Sequence, residues 1–338
     1  MKLSVIICTH NPRPEYLSRT LEAVRAQTVP VAYWELLLID NGSDERLASR
    51  IDLSWHPGGR HIREEELGLT PARLRGIAEA RGDLLIFVDD DNVLRRDYLE
   101  AASCISATHP YLGAFGGSIE AEFEVEPDPR FRSLLPGLAV RGVTEPKWAN
   151  FGIESVPYGA GLCVRAKVAQ TYAARTRDSE IGRYLGRRGG SLMGGEDLDL
   201  AMTSYDLGMG VGLFGELVVT HLIDERRLSP QYLHRVFVGG VYSSYIVSYL
   251  RTGIAPRYRG ATGFVLDSLK QMVRTCLGRP WAPAEKAIRE AESDAARDIR
   301  LLQMERGIEI KRIREGSDAR RHTHQDKNRT QYLPQKFT

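Results

Sequence analysis

Three acidic clusters in this chain have residue types and spacing suited to chemistry: Asp40, the triplet Asp89-Asp90-Asp91, and the pair Glu196-Asp197. The triplet follows the apolar run Leu84-Leu85-Ile86-Phe87-Val88 and is followed by Asn92. If the chain stays extended through it, side chains alternate. Asp89 and Asp91 then share one side and Asp90 takes the other. Two carboxylates on one side, with no Lys or Arg between them, repel unless a cation sits there. A hard divalent ion with oxygen ligands, Mg²⁺ or Mn²⁺, meets that need and can neutralise a diphosphate. A carboxylate at Asp40 can accept a hydrogen bond from a uracil or guanine ring N–H, and a further carboxylate can serve as a general base. The plain alternatives are a solvated acidic turn for the triplet, a turn cap for Asp40 and helix-cap acids for Glu196 and Asp197.

The elements that must position these acids follow from the apolar pattern. Ser4-Val5-Ile6-Ile7-Cys8 reads as a buried strand, ended by the turn Thr9-His10-Asn11-Pro12. Residues 14–27 carry Leu17, Thr20, Leu21 and Val24 at helical spacing. Trp34 to Ile39 is a second strand ending at Asp40, and His61-Ile62-Arg63 a weak third. Thr70 is expected to cap a helix with Pro71 at its first position. Leu84 to Val88 is the fourth strand. The order β-α-β-β-α-β predicts an α/β fold: a doubly wound, mostly parallel sheet, which binds ligands outside the carboxyl ends of its strands. That places Asp40 and the Asp triplet on one edge.

Further on, a helix is expected from Asp97 to Thr108, then strands at Tyr111–Gly117 and Ser118–Val125. Residues 127–146 and 181–195 read as loops. Val156 to Arg165 reads as a turn feeding a strand. Glu196 and Asp197 open a helix, where acids complement its N-terminus. Short strands at Val211–Phe214 and Leu217–His221 precede three helices, at Tyr232–Leu250, Thr262–Leu277 and Ala284–Met304. The last has Ile288, Ala291, Ala295, Ile299 and Leu302 on one face. Residues 311–338 are basic and polar and read as a disordered tail. The domain plan is therefore an α/β domain over residues 1–228, a helical appendage over 229–310, and the tail; the motif resemblance below implies a nucleotide-binding half over 1–117 and an acceptor half over 118–228 within the first.

The chain has 338 residues, with 46 Lys and Arg against 44 Asp and Glu, a net charge of +2. That near balance argues against a nucleic-acid partner. Cys8, Cys104, Cys163 and Cys276 form no CxxC pair, so neither a zinc site nor a disulfide framework is expected. The first residues enter a strand pattern with no signal peptide, and no stretch of 18 or more apolar residues occurs. A cytoplasmic location is expected, or a peripheral one on the inner face of the membrane. There is no GxxxxGK[ST] and no GxGxxG after a strand, so a bound nucleotide would be held by a metal-bridged diphosphate.

The chain resembles the family 2 glycosyltransferases of the GT-A fold. The matching pieces are Val5 to Pro12, Asp40-Asn41-Gly42-Ser43-Asp44, Ala72-Arg73 with Gly76-Ile77, Phe87 to Asn92, Gly195 to Leu200, and His221 followed by Arg227-Leu228. They run in the family's order over residues 3–235. The resemblance implies inverting transfer from a nucleotide-sugar, UDP-linked, to a sugar or lipid-linked acceptor in polysaccharide or glycoconjugate biosynthesis. Thr9 and Asp40 match the base-binding pair, and His10, Asn11 and Asp90 fall in the same nucleotide site. Arg73 matches an arginine near the nucleotide, though Leu74 stands where the family usually has Asn. Asp89 and Asp91 match the outer acids of the DXD motif and its Mn²⁺ or Mg²⁺ ion, and His221 a third metal or diphosphate contact. Glu196-Asp197 matches the ED motif, with Asp197 favoured as the base and Glu196 kept as the alternative. Trp148 and Tyr158 could stack on an acceptor sugar or simply pack. The helices after Ser229 are expected to serve packing, self-association or contact with the membrane of a lipid-linked acceptor. Two rivals remain: a nucleotidyltransferase, which would usually carry a Gly-rich, Lys/Arg-bearing loop after the first strand, and an inactive nucleotide-binding scaffold, which should have lost an acid cluster.

Overall fold

Strands β1 (Leu3–Thr9), β2 (Trp34–Asn41) and β4 (Leu84–Asp89) are buried along almost their whole length. They are rich in Leu, Ile and Val because both faces of the sheet are covered. Each such side chain removed from water contributes about 1.5–3 kcal/mol. The computed structural model describes residues 2–177, 185–187, 194–256, 270, 274 and 282–319, the last fifteen of these as backbone only. The chain divides into two compact units, Met1–Gly240 and Val241–Thr338.

The first unit is built on a nine-stranded sheet of order β3-β2-β1-β4-β8-β6-β9-β5, with β7 also on β9. The others are β3 (Gly59–Glu64), β5 (Asn92–Leu94), β6 (Leu112–Phe123), β7 (Lys147–Ala149), β8 (Leu162–Arg165) and β9 (Gly210–Ile223). Strands β1 to β4, β6 and β9 run one way; β5, β7 and β8 run against them. Helices α1 (Pro14–Arg25) and α3 (Tyr98–Thr108) pack on the face carrying Val5, Ile7, Leu36, Leu38, Ile86 and Val88. Helix α2 (Leu69–Glu79) lies on the opposite face, where Gly76 sits against Ile6 and Ile39. It is accompanied there by α4 (Ala166–Arg177) and α5 (Glu196–Asp206). This is the doubly wound, mostly parallel α/β sheet expected from the sequence.

Several expectations need correction. The strand into the Asp triplet stops at Asp89, and Asp90 and Asp91 form a turn into β5, so extended alternation does not place them. Asn92 clamps that turn: its Oδ1 accepts from the Asp89 amide at 3.3 Å and its Nδ2 donates to Asp91 at 2.9 Å. Thr70 does not cap α2. Gly68 is the N-cap residue, at φ 133°, and the Leu69 amide donates to the Arg187 carbonyl at 3.0 Å. The Thr70 hydroxyl is spent on the Leu185 carbonyl. The four short strands expected after Tyr111 and Val211 are two long ones, β6 and β9. Their ladder runs on through the expected break, shifting register between Leu112 and Ala114 and between Gly117 and Ser118. A side chain at Gly117 would run into the Phe214 and Leu217 carbonyls. Within the expected loop 127–146, Pro129–Leu138 is a 3₁₀ segment that buries Leu134 and Leu138. Helix α4 was not foreseen.

Helix α6 (Pro230–Thr252) leads into the second unit, which contains α7 (Pro283–Ala319). On α7 the buried stripe is Ala287, Ala291, Ala295 and Ile299, four residues apart, while Ile288 is exposed. Within this unit the Tyr242 hydroxyl donates to Asp298 at 3.1 Å. Helix α7 runs on to Ala319, into the segment read as tail. The helix expected at 262–277, Cys276, the remainder of the tail and most of the loop at 181–195 lie outside the described residues. No helix among the described residues is long and apolar enough to cross a membrane.

Candidate active site

At the carboxyl edge of the first unit's sheet lies a cleft of about 470 Å³. Its walls bring together Thr9 at the end of β1 and His10 after it, Arg73 from α2, Asp89 at the end of β4 and Asp90 after it, Glu196 and Asp197 from α5, and His221 and Arg227 from β9 and beyond. Two charge clusters contribute to it.

The first is centred on Arg73, whose guanidinium is almost fully buried. Its Nη1 donates to Glu196 Oε1 at 2.9 Å and its Nη2 reaches Asp89 Oδ1 at 3.5 Å. The guanidinium lies over the Phe87 ring at 5.7 Å. It fits because residue 159 is Gly; a Cβ there would collide with Nη2. Glu196 opens α5 behind Gly195, whose φ of 97° turns the chain into the helix. Its Oε2 is buried without a partner. Burial raises the Glu196 carboxyl to about 7, with Arg73 opposing the rise and Asp197 adding to it. Asp197 points differently: Oδ2 accepts from the Gly159 amide at 2.7 Å and Oδ1 from the Leu198 amide at 2.8 Å. Both acids of the pair therefore line the cleft with distinct duties. Glu196 is locked to Arg73, and Asp197 is half-buried and held, among the described residues, by backbone N–H groups.

The second cluster is centred on Asp91. Pairing of β5 with β9 sets Asn92 opposite His221, and the Leu222 amide donates to the Asp91 carbonyl at 2.8 Å. Asp91 Oδ2 then lies 3.2 Å from His221 Nε2 and 2.8 Å from Arg227 Nη1. His221 Nδ1 donates to the Leu138 carbonyl at 2.9 Å, which aims Nε2 at Asp91. Arg227 Nη1 lies 3.1 Å from that nitrogen. So a carboxylate oxygen and an imidazole nitrogen converge on one cation. Arg227 is aimed by the 3₁₀ turn Glu225–Leu228, whose cap Asp224 accepts from the Arg227 amide. Burial would raise Asp91, but His221 and Arg227 outweigh it and hold the carboxyl down at about 2. Burial and the Asp91 charge push Asp90 up to about 7, although the Thr9 hydroxyl donates to it.

The geometry bears on the expected metal. Asp91 and His221 offer two donors at one point, a seat a divalent ion could share with diphosphate oxygens and water. Asp89, expected as the third ligand, is turned towards Arg73. Among the described residues no group of three or more His, Cys, Asp or Glu converges.

The remaining candidates divide. Thr9 and His10 line the cleft, His10 Nδ1 donating to the Asn41 carbonyl at 2.7 Å. Asn11 turns away at φ 47° and exchanges hydrogen bonds with Ser43 and Asp44. Asp40 is buried and does not line the cleft. It accepts from the Ser43 and Leu47 amides and from Arg63 at 2.9 Å, which leaves little capacity for a base. Tyr158 precedes the cleft residue Gly159, and Arg141 stacks on its ring at 3.7 Å. Trp148 is not brought to the site. It pairs with Gly212, opposite Phe115, six residues along β6 from the row of His221, which is roughly 20 Å. Its ring stacks with Phe214 instead. Arg227 and Arg187, both in the cleft wall, had no role assigned from the sequence. For Arg227 the available signal was its place after His221; for Arg187 there was none.

Residues 4–136 match the profile described as Glycosyl transferase family 2. This stretch belongs to that family. It carries Thr9, Asp40, Arg73 and the Asp triplet, while Glu196, Asp197, His221 and Arg227 lie beyond it and rest on the geometry above. Among curated relatives, the family domain is similar to Glycosyltransferase AglE of Haloferax volcanii, 34% identical over 122 residues, 35% of this chain and 39% of that one. It is also similar to the glucosyl-dolichyl phosphate glucuronosyltransferase of the same organism, 29% identical over 123 residues, 35% of this chain and 38% of that one. The chain thus matches about two fifths of the length of these relatives. Among solved structures it is similar to S. aureus TarS 1-349, with a TM-score of 0.47 and 16% identity, covering 74% of this chain and 66% of that one.

Proposed function

We propose that this chain transfers a glycosyl group from a nucleoside-diphosphate sugar, UDP-linked, to an acceptor hydroxyl by a single in-line displacement with inversion. The observation that carries the reading is one cleft lined both by a half-buried carboxylate, Asp197, and by His221 and Arg227, the partners of Asp91. An acceptor hydroxyl has a pKa far above 7 and needs a positioned base as it attacks. Asp197 is suited to that task. Glu196 is committed to Arg73 and holds its own proton near neutrality. Arg227 would answer the charge that gathers on a departing diphosphate. Asp91 and His221 would hold a Mn²⁺ or Mg²⁺ ion, which when bound neutralises the diphosphate. Thr9 and His10 bound the nucleotide side. The name of the glucuronosyltransferase relative describes a lipid-linked sugar acceptor, which supports a lipid-linked acceptor here.

Thermal unfolding with UDP, GDP and CDP, each with and without Mn²⁺ or Mg²⁺, tests this reading. A ligand at 100 times its Kd stabilises by about 2.7 kcal/mol. At least one nucleoside diphosphate should raise Tm, more with the ion than without. No rise with any of them would end the proposal.

A further inference from the structure

The cleft's charges are largely spoken for. Arg73 answers Glu196 and Asp89, Arg227 answers Asp91, and Asp197 is held by two backbone amides. Arg187 is different: it lines the same cleft, its side chain is exposed, and among the described residues it has no ion-pair partner. Its seat is built. The Arg187 carbonyl accepts from the Leu69 amide at 3.0 Å, and the Leu185 carbonyl accepts from the buried Thr70 hydroxyl. Leu185 is itself buried. Gly186 between them has φ 110°, and a side chain there would meet Thr70.

This segment lies on the side of the cleft that holds the base helix. A Cβ at residue 186 would stand 3.5 Å from Glu196 Cδ. Arg227, the cation beside Asp91, lines the same cleft. Arg187 is near enough to Glu196 to act on its carboxyl. A cation beside the base helix makes carboxylates weaker bases, a cost that has to be offset by binding something negative. Among the described residues no carboxylate forms an ion pair with it.

We infer that Arg187 is a specificity-determining residue that selects an acceptor bearing an anionic group, a phosphate or carboxylate, close to the hydroxyl that is glycosylated. The inference rests on the glycosyl-transfer reading and adds the acceptor's charge class to it. A guanidinium presents a planar fork suited to such oxygens.

The test uses the full-length chain saturated with its nucleoside diphosphate and Mn²⁺. Glucose 6-phosphate and glucose, which differ only by the phosphate, are titrated by ligand-observed NMR into the wild type, Arg187→Gln and Arg187→Lys. Wild type should bind the phosphate-bearing probe about tenfold more tightly, about 1.4 kcal/mol. Arg187→Gln should lose that preference, Arg187→Lys should keep part of it, and nucleoside diphosphate affinity should be the same in all three. Equal affinity of the two probes for wild type overturns the inference, as does a preference that survives in Arg187→Gln. A loss of nucleoside diphosphate affinity in Arg187→Gln overturns it too, by assigning the residue to the leaving group. A wild type that binds no nucleoside diphosphate removes the parent reading, a result distinct from bound nucleotide without anion preference.

Discussion

Glu196 offers a test of the buried charge cluster that needs no substrate. Its carboxyl ionises near 4.5 in an unfolded chain and at about 7 in the fold, because burial opposes the charge more than Arg73 favours it. Between those values the folded state keeps a proton that the unfolded state has released. Folding therefore gains this group's full contribution below pH 4.5 and loses it as pH rises through about 7. A shift of about 2.5 units at 1.36 kcal/mol each is about 3 kcal/mol. Asp90 is raised in the same direction and adds a slope of its own, so the diagnostic quantity is a difference. Glu196→Gln keeps an oxygen for the Arg73 Nη1 hydrogen bond and removes the titration. Urea unfolding of both proteins from pH 4.5 to 8 should give similar stabilities at the acid end. The variant should then gain on wild type by up to about 3 kcal/mol at pH 8. Parallel curves would show that Glu196 is ionised throughout and that its burial has been misread.

Two further outcomes follow from the same geometry. Asp91→Asn removes the charge that His221 and Arg227 both approach. It should weaken metal-dependent nucleoside diphosphate binding at least tenfold, about 1.4 kcal/mol, by calorimetry; unchanged affinity would remove Asp91 from the site. Gly159→Ala drives a methyl group into the Arg73 guanidinium and should cost about 1–3 kcal/mol of stability in denaturant unfolding, whereas a neutral substitution would mean that Arg73 has room to shift.

Much of the sheet was legible because β1, β2 and β4 are nearly continuous apolar runs, the last two ending in acids and the first in Thr9. Their parallel pairing puts those ends together whatever the loops do. The acids' individual directions were not legible, since Asp90 and Asp91 lie in a turn whose shape depends on Asn92 and on distant β9. Asp40 shows the same limit. Its position at a strand end was readable, but its saturation by Arg63 and two amides comes from β3 and the following turn. Trp148 read as an acceptor contact because aromatic residues suit sugars, yet β7 pairs with the far end of β9. Arg187 carried no pattern at all, because only the packing of Leu185 and Gly186 on α2 puts it in the cleft.

The central claim is that Asp197 takes the acceptor's proton while a nucleoside-diphosphate sugar sits against the Asp91–His221–Arg227 cluster. The most direct measurement is nucleoside diphosphate release from a panel of nucleotide-sugars with candidate acceptors, by wild type and Asp197→Asn, with donor affinity measured on both. Wild type should turn over at least one donor. Asp197→Asn should lose about 10²–10⁴ in kcat with donor affinity unchanged, the range for removing a general base. Normal turnover in Asp197→Asn, or loss of donor binding in step with turnover, would contradict the account.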